Sequence, residues 1–154
     1  MPAPADTAAA DARPLRPGDV LAIDTAAGTR HVQVTHARAP HPEVLRAIAP
    51  AARPDQAAAG IARGPTAFIA MAELGRALAR GEAGLRRLGH APLPAAAQPF
   101  PRFRIPIRDR AGEILYWWHW DGDGLSVAPD PRGDDLPIRE VLGLEALRRR
   151  LAAL

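Results

Sequence analysis

The most regular alternation of apolar and polar positions runs from Arg102 to Trp120, "RFRIPIRDRAGEILYWWHW". Successive strand residues point to opposite faces. This puts Phe103, Ile105, Ile107 and Asp109 on one side and Arg102, Arg104, Pro106, Arg108 and Arg110 on the other. The second half divides as Ile114, Tyr116, Trp118 and Trp120 against Glu113, Leu115, Trp117 and His119. A two-residue loop at Ala111 and Gly112 predicts a hairpin pairing Phe103 with Trp120, Arg104 with His119, Ile105 with Trp118, Pro106 with Trp117, Ile107 with Tyr116, Arg108 with Leu115 and Arg110 with Glu113. Stacking apolar on apolar favours that register by about 0.2–1 kcal/mol per pair. Trp118 and Trp120 are then expected in the core with Tyr116 beside them. Trp117 falls on the arginine face, where a cation–π contact of about 0.5–1 kcal/mol suits an exposed indole; alternatively a crossing segment or helix covers this face and Trp117 forms a second, smaller core.

Earlier in the chain, "RPGDVLAIDTAAGTRHVQVTHARA" sets two apolar, β-branched runs around a turn at Gly28 and predicts a hairpin with strands near Val20 to Asp24 and Arg30 to Ala37. "PEVLRAIAP" suits either a helical turn or a strand, and a third strand is expected there. Phe68, Met71, Leu74 and Leu78 recur at helical spacing in "TAFIAMAELGRALARG", with Gly81 in the position of a left-handed cap, which predicts a helix over this stretch. Pro92, Pro94, Pro99 and Pro101 predict an extended crossing segment. Pro137 after Asp134 and Asp135 resembles a helix start, so "PIREVLGLEALRRRLAAL" reads as a short helix, a break at Gly143 and a terminal helix with Leu144, Leu147 and Leu151 inward. The expected fold is a small single α+β domain over residues 15–154. It is mainly antiparallel twisted sheet, built from the N-terminal and Trp-rich hairpins, with two to four helices packed against it. Residues 1–14, rich in Ala, Pro and Asp, are expected as a disordered tail.

Composition narrows the function classes. The chain has 154 residues, 47% of them hydrophobic and 24% charged, the balance of a globular domain. There is no cysteine, hence no disulfide, thiolate nucleophile or cysteine-bound metal, and cytoplasm is the default location. No apolar run approaches the roughly 20 residues that cross a bilayer, so no membrane partner is expected. All 20 basic residues are arginine; the absence of lysine excludes a Schiff-base lysine, a pyridoxal phosphate anchor and the P-loop lysine. The net charge is only +3, so general nucleic-acid affinity does not follow from it.

The catalytic and cofactor motifs fail on spacing. "DGDG" at Asp121 to Gly124 opens like a calcium loop, but Arg132 stands where the bidentate glutamate belongs, and a glycine-rich hairpin turn accounts for it. "GDGL" lacks the third glycine and the following helix of a dinucleotide fingerprint. His31, His36, His41, His90 and His119 include no zinc-helix pair, although His36 and His41 flank one loop. Ser126, the sole serine, is in no nucleophile elbow. The expectation is a protein without enzymatic activity, cofactor or metal. A large polar pocket around His31, His36 or His90 would instead indicate an enzyme.

The order "GDVLAIDTAAGTRHVQV", "FIAMAELGRAL", "LRRLGHAPL" with "PFPRFR", then "GEILYWWHWDGDG", resembles the immunity protein 26 family of bacterial polymorphic toxin systems over about residues 16 to 125. The resemblance implies an α+β fold, with a strand near Phe68 rather than a helix, and a role in neutralising a cognate toxin by protein contact. It supplies no defined contact residues. The arginines favour an acidic partner surface. The expected partner face is Arg102, Arg104, Arg108, Trp117 and His119, since Trp and Arg are enriched at binding hot spots. The alternative on those same residues is a small nucleic-acid-binding module, with the arginines on phosphates and Trp117 stacked on a base.

Overall fold

The computed structural model describes residues 13–53, 57–130 and 132–154; most of the expected tail, residues 1–12, lies outside them. The chain is a small α+β domain. Strands β1 (Asp19–Thr25) and β2 (Gly28–His36) form the expected N-terminal hairpin, with Gly28 at a φ of +109 that suits glycine. The third strand, β3 (Glu43–Ile48), pairs with β2, and β4 (Thr66–Ala72) with β3. β5 (Leu85–His90) lies on the far side of β1. The sheet is completed by β9 (Val141–Leu142), which runs parallel to β4. The order is β5-β1-β2-β3-β4-β9.

Two expectations are corrected here. Residues Thr66 to Ala72 form a strand, and only Leu74–Ala79 form a helix (α2, after the short α1, Ala58–Ile61). Both faces of β4 are covered, so its apolar residues show no polar alternation to reveal period two. Phe68, Ala70 and Ala72 belong with the helix-side core, while Ile69 and Met71 face the opposite cluster. Gly81 does close α2 in the left-handed region, at a φ of +69, where its N–H and that of Glu82 reach back to Leu78 and Ala77 carbonyls. The second correction concerns residues from Pro137 to Leu142, which are extended rather than helical. Their backbone is drawn into pairing by the open edges of β4 and of the strand Phe103–Arg108. The terminal helix α3 (Leu144–Ala152) begins after Gly143 as expected, with Leu147 and Leu151 fully buried and Leu144 partly so.

One face of the large sheet carries the main core, in which Leu21, Ile23, Val32, Val34, Leu45 and Ala47 pack against Leu74 and Leu78 of α2 and Leu147 and Leu151 of α3. The opposite face is divided. Val20 and Ile48 pack beneath Ile61 and Ala62 at one end, and Val44 and Met71 pack against Phe103 and Trp120 at the other. Between these apolar clusters lie two buried polar side chains, Gln33 and Arg46, both on this face.

Phe103 and Trp120 belong to a second, three-stranded sheet: β6 (Phe103–Arg108), β7 (Ile114–Trp120) and β8 (Leu125–Val127), in that order. The β6–β7 register from Phe103–Trp120 to Ile107–Tyr116 is the one the alternation predicts. It departs only at the turn. A bulge sets Arg108 opposite Ile114, and Asp109 closes the loop by accepting from the N–H groups of Ala111 and Glu113, so the Arg110–Glu113 pair does not form. The second turn is the DGDG stretch, whose Asp121 accepts from the N–H groups of Asp123 and Gly124. Those bonds hold the Asp121 carboxyl below its ordinary pKa. Among the described residues no helix is long and apolar enough to cross a membrane.

Candidate functional site

The two faces of the small sheet have opposite fates. Arg104, Pro106, Trp117 and His119 share a face as the alternation requires, but that face is closed over Trp117 and His119, while Leu115, next on the same side of β7, stays 55% exposed. The chain doubles back over the face through residues 128–130 and 132–139. The Ala128 N–H donates to the Trp117 carbonyl at 2.8 Å, the Arg104 N–H to Pro137 and the Arg139 N–H to Arg104, both at 2.9 Å. Gly133 sits against the Trp117 indole so closely that a β-carbon there would come within 2.7 Å of Nε1. Trp117 is left 7% exposed, with the Arg104 guanidinium 4.3 Å from its ring centre. The cation–π pair therefore forms inside the molecule. His119 is buried too and donates from Nε2 to Asp134 at 2.7 Å. Burial pushes the Asp134 carboxyl up, but the Leu136 N–H and His119 outweigh it and hold it below its ordinary value.

The expected partner-facing set is thus split. Trp117 and His119 are covered, Arg104 is half-buried on Trp117, and only Arg102 and Arg108 are exposed, at opposite ends of β6. Of the two readings open for Trp117, an exposed anchor or a covered second core, the structure has the covered one, because parity decides the side a residue takes and says nothing of what later covers that side.

The reverse face is covered at one end only. Phe103 and Trp120 are buried against the large sheet, while Ile105, Ile107, Tyr116 and Trp118 are half-buried, so Trp118 is less enclosed than expected of a core residue. Beyond them the pairing places Leu125 beside Trp120 and Val127 beside Trp118, and these two are 53% and 63% exposed. The period-two pattern extended across the DGDG turn carries the signal for Leu125 and Val127. Ile114 adds a further exposed side chain on β7.

The histidines are dispersed. His36 holds the Gln98 carbonyl through Nε2 and meets the Thr35 hydroxyl through Nδ1, His41 packs edge-on to Trp120, and His90 donates to the Pro17 carbonyl. His31 borders a cavity of about 380 Å³ whose lining includes Arg30 and Arg53 and no carboxylate. Burial, then Arg86 and Arg30, lower its pKa.

A second cavity, of about 370 Å³, lies between the proline-rich crossing segment and the polar middle of the large sheet. Arg46, 1% exposed, forms part of its wall. Its Nε donates to Gln33 Oε1 at 2.8 Å, Nη1 to the Gly64 carbonyl at 3.0 Å and to Thr66 Oγ1 at 3.2 Å, and Nη2 to the Ala62 carbonyl at 2.5 Å. No local spacing marks Arg46, which stands among the apolar residues of β3. No protein-family model, no curated protein and no solved structure matches this chain.

Proposed function

We propose that the chain is a non-enzymatic, cytoplasmic binding protein of the immunity type, which holds a toxin domain against the outer face of β6, β7 and β8. One observation carries the reading: Leu125 and Val127 stand more than half exposed beside half-buried Trp118 and Tyr116, giving a contiguous apolar surface on one side of a sheet whose other side is covered over Trp117 and His119. Such a patch rimmed by polar groups marks an interaction surface, and half-buried aromatics make effective anchors. Arg102 lies at the open end of the hairpin and Arg108 and Arg110 at its turn, all exposed and none in an ion pair among the described residues. The complementary partner surface is apolar at its centre with carboxylates around it. The toxin identity of that partner rests on the family resemblance. Nucleic acid is the weaker alternative, because the indole that would stack on a base, Trp117, already lies under Arg104.

The test is titration with the toxin domain encoded beside this chain, using wild type and Val127→Asp. The wild type should bind, and the variant should lose at least about 2 kcal/mol of affinity, roughly thirtyfold, with its melting temperature nearly unchanged. Unchanged affinity in Val127→Asp removes the face from the proposal. The absence of any adjacent toxin gene, or tight binding of labelled single-stranded or duplex nucleic acid with a steep salt slope, counts against the immunity reading.

A further inference from the structure

Arg46 is a cation with no anion. Its guanidinium is ionised at neutral pH, is almost wholly removed from water, and donates to an amide oxygen, two backbone carbonyls and a hydroxyl, all of them neutral. No carboxylate among the described residues forms an ion pair with it. Hydrogen bonds to neutral acceptors offset part of the cost of burying such a charge, which is several kcal/mol per ion, and leave the rest uncompensated. The low dielectric around it preserves the field for whatever enters the adjoining space.

That space is the cavity beneath the proline-rich segment, and its lining is one-sided in charge. Arg46 and Arg102 contribute to its wall and no acidic residue does. Thr66 Oγ1 accepts from Arg46 Nη1, which leaves the hydroxyl hydrogen of Thr66 to donate to a ligand. Arg102 is exposed and free of ion pairs among the described residues, so its guanidinium can turn over the opening. Apart from Thr35, whose hydroxyl donates to the Val44 carbonyl, the remaining walls are apolar, with Ile69, Phe100 and Leu136 the largest. A volume of about 370 Å³ suits a small molecule rather than a chain segment.

We propose that this cavity binds a small organic acid, its carboxylate held by the Thr66 hydroxyl and the Arg102 guanidinium within the field of Arg46, and its apolar body lying against Ile69, Phe100 and Leu136. The site shares Arg102 with the rim of the β6–β8 face and nothing else, so its binding of a small acid does not depend on the protein-binding proposal. Charge-assisted bonds separate an acid from its neutral amide, because the amide offers the same shape without the charge.

The probes are benzoate and benzamide, titrated calorimetrically into the full chain at neutral pH and low salt. Benzoate should bind at least about tenfold more tightly than benzamide. Arg102→Ala and Thr66→Val should each weaken benzoate about fivefold or more while leaving benzamide unchanged. Both substituted positions are solvent-accessible, so the result does not depend on whether an Arg46 variant folds. Equal affinity for benzoate and benzamide, no benzoate binding up to about 10 mM, or benzoate affinity indifferent to both substitutions would each overturn the proposal.

Discussion

Trp117 and Trp118 are adjacent, chemically identical and on opposite sides of one strand, so their difference is set by what lies over each side. Trp117 is closed in by Arg104 and Gly133, and Trp118 has only the half-buried Ile105 and the exposed Val127 as strand partners. Trp117→Ala removes a buried indole and its cation–π contact and is expected to cost about 3–5 kcal/mol; Trp118→Ala should cost about half of that or less, in proportion to the smaller area it buries. Urea unfolding of the two variants measures both, and equal losses would contradict the assignment. His31 gives a residue-level pH signature. Its folded-state pKa lies below the ordinary value of about 6.5, so the fold favours the neutral ring. That contribution is fully present above about pH 6.5 and is lost as pH falls through that value towards the folded pKa. Asp24 and Asp121, whose pKa values are also depressed, add their losses further into acid. Urea midpoints should fall from pH 7.5 to 5, and His31→Gln should flatten that decline; parallel curves would show that His31 is not responsible.

At the level of elements, residues 128–130 and 132–139 change the meaning of the hairpin by covering Trp117 and His119 on its arginine face. Gly133 is the tight point, with a φ of +90 and no room for a β-carbon beside Trp117 Nε1 and Arg104 Nη1. Gly133→Ala should destabilise by about 1–3 kcal/mol, whereas Gly124→Ala, with nothing within 4 Å and no positive φ, should change the melting temperature little. If the two variants melt alike, the covering segment is not tightly seated. The register of β6 and β7 was legible because arginines and large apolar residues alternate there without interruption. The covering segment was not, because it docks mainly through backbone hydrogen bonds and carries Asp, Gly and Pro in no apolar period. The helical spacing misleads at β4 for the opposite reason. "TAFIAMA" is apolar at nearly every position, so the helical spacing of Leu74 and Leu78 extends backwards onto Phe68 and Met71 by coincidence. β9 is two residues held by the edge of β4, a long-range pairing no local window reveals. Arg46 was illegible for a related reason: a single arginine in a buried strand looks like an edge or a surface position until the fold encloses it.

Over the whole molecule, one sheet supplies stability and the other presents a surface. The large sheet buries its helix-side face in the main core and divides its other face between two apolar clusters, with the arginine-lined cavity between them. The small sheet is tied to it by Phe103 and Trp120 and by the run from Pro137 to β9, leaving its outer face open. A net charge of only +3 gives little general attraction to nucleic acid, so the proposed recognition of a partner rests on local surface. Hydroxyl-radical footprinting of the free protein, read by mass spectrometry, tests most directly which side of the small sheet is available. Leu125, Val127 and Trp118 should oxidise readily while Trp117 and Phe103 are protected. Trp117 oxidising as fast as Trp118, or Leu125 and Val127 protected, would contradict the account.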